Sequence, residues 1–229
     1  MVAPLSDDLF DIPELRNRTA VFRNREHAGE VLGEMLSSFK GTDAIVFAIP
    51  AGGIPVGAVL AHKLQIPFEV AVVSKITLSW NTEAGYGAVA FDGTIKLNEG
   101  MIGRLGLLEE NISEGIKKTR VKVKNRVEKF RKGKSTFNIQ GKTAILVDDG
   151  IASGFTMFVA IDALKNSGAG QLIIAVPTAH LENIKQFIGE VNAIYCPNIR
   201  SGWSFAVADA YEFWSDVSEE EVMDILKLF

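Results

Sequence analysis

Residues 144–156 read Ala-Ile-Leu-Val-Asp-Asp-Gly-Ile-Ala-Ser-Gly-Phe-Thr, and this stretch decides the fold. Its first four residues are apolar, as expected of a strand buried in a parallel sheet. The two carboxylates that follow mark the end of the strand, and the small residues after them lead into a helix that begins near Phe155. The pattern therefore predicts a strand, a polar loop and a helix, which form the repeating unit of an α/β sheet.

Other mainly apolar segments predict the remaining strands of this sheet. They cover residues 44–49, 68–74, 172–176 and 191–195. Because segments with helical spacing lie between them, we predict an α/β fold, with an open, mainly parallel sheet of about five strands and helices on both faces. Ligands of such sheets bind at the carboxyl ends of the strands. The candidate site therefore comprises the loops after Ile49, Ser74, Val147 and Tyr195.

Three segments interrupt this alternation of strands and helices. Residues 75–87 are polar and contain glycines, which predicts a long loop. Residues 88–97 predict a hairpin that turns at Asp92-Gly93, and residues 107–132 predict one long amphipathic helix. We interpret the chain as a single domain, residues 1–229, with a helical insertion at 98–140 and a C-terminal loop and helix at 196–229.

The composition limits the class of protein. Of 229 residues, 47% are hydrophobic and 23% charged, which is enough apolar material for a sizeable core. The net charge of -4 gives no global signal for a nucleic-acid partner. The single cysteine, Cys196, excludes an internal disulfide framework and a Cys-rich zinc site. No signal peptide is visible, and prolines and glycines interrupt the uncharged run at 44–61, so we expect a cytoplasmic protein.

The loop at 148–156 has the chemistry of a phosphate site beside a sugar site. Small residues let main-chain N–H groups converge, and the helix N-terminus and two hydroxyl groups add to them. The predicted phosphate cradle consists of Ile151, Ala152, Ser153, Gly154, Phe155 and Thr156. The carboxylates of Asp148 and Asp149 would repel a phosphate but accept hydrogen bonds from vicinal ribose hydroxyls. A ribose 5-phosphate satisfies both halves, whereas the alternative is an acidic strand end before an ordinary helix cap.

The same segment resembles the signature with which type I phosphoribosyltransferases bind phosphoribosyl pyrophosphate (PRPP). In that signature, four apolar residues precede two acidic residues and a small, hydroxyl-rich loop. The likeness extends to a subgroup of uncharacterised predicted phosphoribosyltransferases and covers about Phe22 to Leu226. Its further matches are residues 50–56, 74–76, Asn81, Glu83, 87–90, 211–213, 217–218 and 220–222.

This resemblance implies an enzyme that transfers ribose 5-phosphate from PRPP to a nucleobase or similar nitrogen acceptor and releases pyrophosphate. Asp148 and Asp149 would bind the ribose, and Asp149 is also the candidate general base. The implied cofactor is Mg²⁺, held mainly through PRPP and also by these two carboxylates. Positive charge that builds on the ribose ring as the bond breaks would be stabilised by the same pair.

The resemblance also implies a pyrophosphate site. The residues are Ala51, Gly52, Gly53 and Lys75, and the subgroup more often has Arg in place of Ala51. Main-chain N–H groups of the glycine loop would bind the pyrophosphate, and Lys75 at the end of a buried strand would stabilise it as it leaves. The loop from Ile76 to Gly87 would close and exclude water.

The base is expected between the loop after Val147 and the loop after Tyr195. The candidate base-binding residues are Asn198, Arg200, Trp203 and Phe205. The aromatic rings would stack on the base, and the polar groups would read its edge. Alternatively, the two rings fix the loop to the core. Trp80 and Tyr86 are further candidate stacking faces.

Two other functions stay open from the sequence. The helix at 107–132 carries nine Lys or Arg against four Glu, so the alternative to an enzyme is a non-catalytic, PRPP-sensing regulator that binds nucleic acid. A phosphatase or hydrolase that uses the paired aspartates with a metal is a third option. The favoured interpretation has PRPP and a base-like acceptor as partners, without a membrane or nucleic acid, and is compatible with a homodimer.

Overall fold

A six-stranded parallel sheet forms the centre of the fold. It is seen in a computed structural model that describes residues 7–78, 81–131 and 138–229, with the backbone alone for residues 81–84. In chain order the strands are β1 (Leu9–Phe10), β2 (Ile45–Ala48), β3 (Phe68–Val70), β4 (Val73–Leu78), β5 (Asn81–Ala90), β6 (Ile95–Leu97), β7 (Thr143–Val147), β8 (Gln171–Ala175), β9 (Thr178–His180), β10 (Ala193–Tyr195) and β11 (Asn198–Arg200). The central sheet has the order β1-β10-β8-β7-β2-β3, and each neighbouring pair is parallel. The predicted fold class is confirmed, with one strand more than expected.

Helices connect these strands across both faces of the sheet. They are α1 (Arg25–Met35), α2 (Gly53–Leu64), α3 (Glu99–Leu105), α4 (Glu109–Arg131), α5 (Phe155–Asn166), α6 (Leu181–Ile184) and α7 (Glu219–Leu226). The predicted long helix is α4, and α5 begins at the predicted residue. The side chain of Asn24 accepts a hydrogen bond from the main-chain N–H of His27 and so caps α1. Residues 98–140 thus contain α3 and α4, and residues 196–229 contain β11 and α7.

The central strands bury side chains on both faces, because helices cover both. In β2, Ile45 and Phe47 belong to one apolar cluster, and Val46 and Ala48 to the other. The first cluster includes residues of α5, and the second includes residues of α1, α2, α4 and α7. Since burying one large apolar side chain contributes about 1.5–3 kcal/mol, this two-sided packing fixes where the carboxyl edge of the sheet lies.

The chain after β3 differs from the predicted strand and loop. The predicted strand at 68–74 is two strands, since β3 ends at Val70 and β4 begins at Val73. The predicted loop at 75–87 is an antiparallel hairpin of β4 and β5, extended by β6. Ile76, Leu78 and Tyr86 are buried in the apolar cluster to which α4 contributes. Polar residues between them concealed this alternation, which is that of a half-buried strand.

Two very short pairings are absent from the sequence-based prediction. Strand β1 adds to the edge of the central sheet beside β10, and β9 pairs with β11 in a separate parallel sheet. Each of these strands has two or three residues, too few to show a periodic pattern. The predicted hairpin turn at Asp92-Gly93 is confirmed, with a φ of 94° at Gly93.

The uncharged run at 44–61 is β2, a turn and the first part of α2. Within residues 7–78, 81–131 and 138–229, no helix has the length and apolar character needed to cross a membrane. Cys196 is a free, buried thiol, and burial raises its pKa.

Candidate functional site

Asp148 and Asp149 lie at the carboxyl edge of the sheet, directly after β7. Strand β7 lies between β8 and β2, so the two carboxylates occupy the middle of this edge. The main-chain N–H of Asp149 donates a hydrogen bond to Oδ1 of Asp148 at 2.9 Å. The side chain of Asp149 is 16% exposed, so a ligand can reach it.

Arg25, the first residue of α1, binds Asp149. Its Nε donates to Oδ2 of Asp149 at 2.9 Å, and its Nη1 donates to the main-chain oxygen of Ser215 at 2.8 Å. Its guanidinium carbon lies 3.8 Å from the centre of the Trp214 ring. Arg25 is buried, and a buried guanidinium needs such partners because the loss of hydration is otherwise unfavourable.

Tyr211 contacts Asp149 from the main-chain side. Its hydroxyl donates to the main-chain oxygen of Asp149 at 2.6 Å. Burial raises the pKa of Tyr211 well above its ordinary value, so the hydroxyl stays protonated and remains a donor. Sequence analysis assigned no role to Arg25, Tyr211 or Trp214. The available signal was that residues 211–213 take part in the family resemblance.

The two carboxyl groups have pKa values above the ordinary range. Burial is the main cause at Asp148, and the neighbouring charge of Asp149 raises its pKa further. Burial also raises the pKa of Asp149, and Arg25 acts in the opposite direction there. The ionised carboxylates are therefore unfavourable here without a ligand, and hydroxyl donors or a cation would stabilise them.

The glycine loop after β2 lies against this acidic pair. A Cβ atom on Gly52 would lie 1.9 Å from Oδ2 of Asp149, and one on Gly53 would lie 2.8 Å from the main-chain oxygen of Val147. The N–H of Gly53 already donates to the main-chain oxygen of Ile49 at 3.0 Å. Of the N–H groups expected to bind pyrophosphate at this loop, those of Ala51 and Gly52 therefore remain available. Glycine is needed at positions 52 and 53 mainly because the loop backbone packs closely against the loop after β7, where a side chain would not fit.

The loop before α5 presents unused N–H groups at a helix N-terminus. Ile151 is an exception among the predicted cradle residues, because its N–H donates to the main-chain oxygen of Thr178 at 2.9 Å. In the described part of the chain, no main-chain hydrogen bond is donated by residues 152–156. These residues are Ala152, Ser153, Gly154, Phe155 and Thr156. Five free donors at the first turn of a helix form a site suited to an anion.

Gly154 shapes this cradle. Its φ of 74° lies in the left-handed region, where a glycine is favoured over residues with a side chain. A Cβ atom there would lie 2.9 Å from Cζ of Phe187, which is buried. The glycine is therefore required both by the backbone and by the ring beneath it.

Lys75 lies elsewhere than predicted. It belongs to β4 of the hairpin, and it is exposed. Its side-chain carbons pass over Gly85 of β5, where a Cβ atom would lie 3.1 Å from Cβ of Lys75. The predicted position at the end of a buried central strand is wrong, because that strand ends at Val70. Its charge is solvated and needs no anion for stability.

Asn198 and Arg200 are structural residues in this fold. Asn198 is fully buried, and its Nδ2 donates to the main-chain oxygens of Leu15 at 2.6 Å and Arg18 at 3.1 Å. Arg200, also buried, donates to Asp209 at 3.1 Å. The prediction that these two side chains read the edge of a base is wrong, because both are used in packing the β9–β11 sheet against neighbouring segments.

Trp203 and Phe205 do lie beside the phosphate loop. Trp203 is fully exposed, and Phe205 makes an edge contact with His180 at 5.8 Å between ring centres. They share a cavity of about 390 Å³ with six other residues, Ala152, Ser153, His180, Glu182, Asn183 and Gly202. Sequence analysis missed His180 and Asn183, whose side chains carry polar groups into this cavity wall.

The remaining aromatic candidates and the basic helix do not add to the site. Tyr86 is buried, so it offers no stacking face, and Trp80 lies outside the described residues. Several cations of α4 are in ion pairs with acidic groups. These pairs are Lys118–Glu114, Lys124–Glu128, Arg126–Glu219, Lys129–Glu219 and Arg131–Glu69. The nucleic-acid alternative gains no support from this surface.

The parallel sheet thus has an acidic pair at the middle of its carboxyl edge and a loop of free N–H groups before the following helix. Residues 17–209 match the profile of the phosphoribosyl transferase domain. The chain belongs to this family.

The chain is also similar to individual proteins. A predicted phosphoribosyl transferase of Mycobacterium tuberculosis is 30% identical over 206 residues, which cover 90% of this chain and 46% of the relative. The chain thus spans about half the length of the curated relative that it matches. The crystal structure of TT1426 from Thermus thermophilus aligns with a TM-score of 0.73 and 26% identity, covering 90% of this chain and 97% of that chain.

Proposed function

We propose that the protein transfers ribose 5-phosphate from PRPP to a nitrogen acceptor of nucleobase type and releases pyrophosphate. One observation carries the proposal: a pair of carboxylates and a loop of free N–H groups follow the same strand, β7. The first suits the hydroxyls of a ribose and the second suits its 5-phosphate, and a sugar phosphate has both groups. Membership of the phosphoribosyl transferase family supports the reaction class.

In this proposal the 5-phosphate binds to the N–H groups of residues 152–156, and the ribose hydroxyls donate to Asp148 and Asp149. The pyrophosphate lies near the N–H groups of Ala51 and Gly52. In this proposal the β4–β5 hairpin takes the place of the closing loop and brings Lys75 to the pyrophosphate. A flexible, exposed lysine on a hairpin is compatible with that role.

The chemical step exchanges one bond at the anomeric carbon for another. The bond to the pyrophosphate oxygen breaks, and its electron pair leaves with pyrophosphate. A lone pair on the acceptor nitrogen forms the new bond, and the nitrogen's proton passes to Asp149 or to water. As the first bond breaks, positive charge on the ribose ring is stabilised by the two carboxylates, which burial has left without bulk water.

The residues present fit Mg²⁺ as an ion that arrives with PRPP. The carboxylates of Asp148 and Asp149 are hard oxygen donors. In the described part of the chain, no group of three His, Cys, Asp or Glu side chains could hold a metal by itself. The other oxygen ligands would therefore come from PRPP. Bound there, Mg²⁺ would neutralise charge on the departing pyrophosphate.

The acceptor is proposed to bind in the cavity between the phosphate loop and Trp203. Trp203 offers a fully exposed ring for stacking, which is worth about 1–3 kcal/mol for one base. His180 and Asn183 replace Asn198 and Arg200 as the polar groups that would select the acceptor.

Replacing Trp203 by Ala should weaken acceptor binding and leave PRPP affinity unchanged. Equal loss of both would show that the ring serves packing.

The proposed function is tested by calorimetric titration with PRPP, with and without Mg²⁺, followed by pyrophosphate release with a panel of nucleobases. Tight PRPP binding and release with one class of base would support the transferase. PRPP binding without release on any base would point to a sensor without turnover. Absence of PRPP binding in the folded protein would remove the proposal.

A further inference from the structure

The two carboxylate oxygens of Asp149 have different surroundings. Oδ2 accepts the hydrogen bond from Arg25 at 2.9 Å. Apart from the main-chain N–H of Asp149 itself and the side chain of Asp148, no described residue other than Arg25 hydrogen-bonds this carboxyl group. A Cβ atom on Gly52 would lie 1.9 Å from Oδ2 and 3.0 Å from Oδ1, so the carboxylate rests directly on that glycine. Arg25 therefore holds Oδ2, no distant element of the described chain holds Oδ1, and Gly52 limits how far the carboxylate can rotate.

Arg25 and Tyr211 reach Asp149 from two paired segments. Residues 209–215, which we call the C-terminal strap, run beside residues 20–23. The pairing includes bonds from the N–H of Ala20 to the oxygen of Asp209 at 2.8 Å and from the N–H of Phe213 to the oxygen of Arg23 at 2.9 Å. Arg25 follows the first segment in the chain, and Tyr211 belongs to the strap.

The strap also holds Arg25 itself. The guanidinium group donates to the main-chain oxygen of Ser215 at 2.8 Å and stacks on Trp214. Tyr211 and Trp214 are in turn in ring contact, with 5.1 Å between their centres. Asp149 therefore has its side chain bound to Arg25 and its main chain bound to Tyr211, and both of these are anchored to one strap.

We propose that Arg25 and Tyr211 are positioning residues, which hold Asp149 so that its Oδ1 is the acceptor for a ribose hydroxyl. The inference rests on the proposed function, since it assigns a task within the same ribose site. Ribose binding would then depend on the C-terminal strap, which lies more than 50 residues after the phosphate loop in the sequence.

The acidic pair explains why Asp149 needs residues that hold it in position. Two adjacent buried carboxylates repel each other, and each would turn toward water if nothing held it. Arg25 offsets this repulsion and favours one rotamer of Asp149, because its planar group is itself fixed by Ser215 and Trp214. Without it, we expect the 5-phosphate cradle to stay intact, since the hydrogen bonds and ring contact of Arg25 go to Asp149, Ser215 and Trp214 and not to residues 152–156.

The test compares ribose 5-phosphate with inorganic phosphate, which lacks the hydroxyls. The variants are Arg25→Met, which keeps the stem without the charge, Arg25→Lys, which keeps the charge, and Tyr211→Phe, which keeps the ring. Arg23→Met is the matched control, because Arg23 is exposed two residues away. Affinities for both ligands, melting temperatures and amide hydrogen exchange at Asp149 and Gly150 are measured.

Arg25→Met should weaken ribose 5-phosphate binding about 10- to 150-fold, the range expected for a hydrogen bond to a charged group. Inorganic phosphate should bind all four proteins as it binds the parent. Arg25→Lys should recover part of the loss, and Tyr211→Phe should cost about 2- to 10-fold, as for a neutral hydrogen bond. Amide exchange at the two residues should quicken in the first three variants and not in Arg23→Met.

Equal weakening of both ligands with a lower melting temperature would overturn the inference, because it would show a general structural role. Unchanged ribose 5-phosphate affinity in Arg25→Met would overturn it as well. If the parent protein binds both ligands equally, the ribose site and the proposed function fail together. Faster amide exchange in the variants would then still show that Arg25 and Tyr211 hold Asp149. Unchanged exchange would refute that positioning role as well.

Discussion

Replacing Gly52 by Ala adds one methyl group at the point where three loops meet. The backbone of Gly52 is ordinary, with a φ of -59°, so alanine meets no conformational strain. The obstacle is contact alone, because the new carbon would lie 1.9 Å from Oδ2 of Asp149. Rotation of the Asp149 side chain would break the bond from Arg25 to the same oxygen, and the bond from Tyr211 holds the main chain in place.

The expected loss of stability follows from those two facts. Overpacking a closed site costs about 1–3 kcal/mol, and a displaced carboxylate would also lose a charged hydrogen bond worth about 1.5–3 kcal/mol. The two effects overlap, so we expect about 3 kcal/mol in the free energy of unfolding. For a chain of this size that lowers the melting temperature by about 6–12 °C.

The assay is thermal and urea unfolding of Gly52→Ala, of Asp149→Ala and of the double variant. Because Asp149→Ala removes the obstacle, the double variant should be more stable than the sum of the single losses predicts. Gly103→Ala is the control, since a Cβ atom there meets nothing within 4 Å and alanine favours a helix such as α3. A Gly52→Ala protein as stable as the parent, or strictly additive losses, would refute the reasoning.

Three further outcomes follow from the same structure. Gly154→Ala should unfold more easily and lose inorganic phosphate binding, measured by titration, because the site needs a φ of 74° and has Phe187 beneath it; retained binding would place the cradle elsewhere. In buffer without Mg²⁺, Asp148→Asn should be more stable than the parent at neutral pH and equal to it in acid. The raised pKa of Asp148 means that its stabilising, protonated form is lost as the pH rises through the folded-state pKa, and a constant difference across pH would contradict this. Cys196 should react with a thiol reagent only at the rate of unfolding, as burial raises its pKa; rapid labelling of the folded protein would contradict its burial.

The sequence predicted those parts of the site that one contiguous segment determines. The order of β7, the acidic pair and α5 follows from local pattern, and the structure has it as expected. Residues that meet through long-range packing were not predicted. Arg25 and Tyr211 lie far from Asp149 in the chain, and a lone arginine or tyrosine in a sequence carries no sign of its partner.

The wrong position predicted for Lys75 and the wrong base-site role of Asn198 and Arg200 have a related cause. Lys75 was placed at a strand end because residues 68–74 are mainly apolar, and no local signal shows that the chain leaves the sheet at Val70. Asn198 and Arg200 look like loop residues, since a three-residue strand shows no period. Their burial depends on Leu15, Arg18 and Asp209, so only the assembled fold reveals it.

The pairing of residues 20–23 with the C-terminal strap has a consequence for how the protein folds. The bond between Arg25 and Ser215 joins residues 190 positions apart, so closing it carries one of the largest entropy penalties in the chain. Most of the sheet can form from nearer neighbours before this contact does. We therefore expect refolding molecules to regain their secondary structure first and their affinity for ribose 5-phosphate later. Stopped-flow mixing with ligand would resolve the two phases.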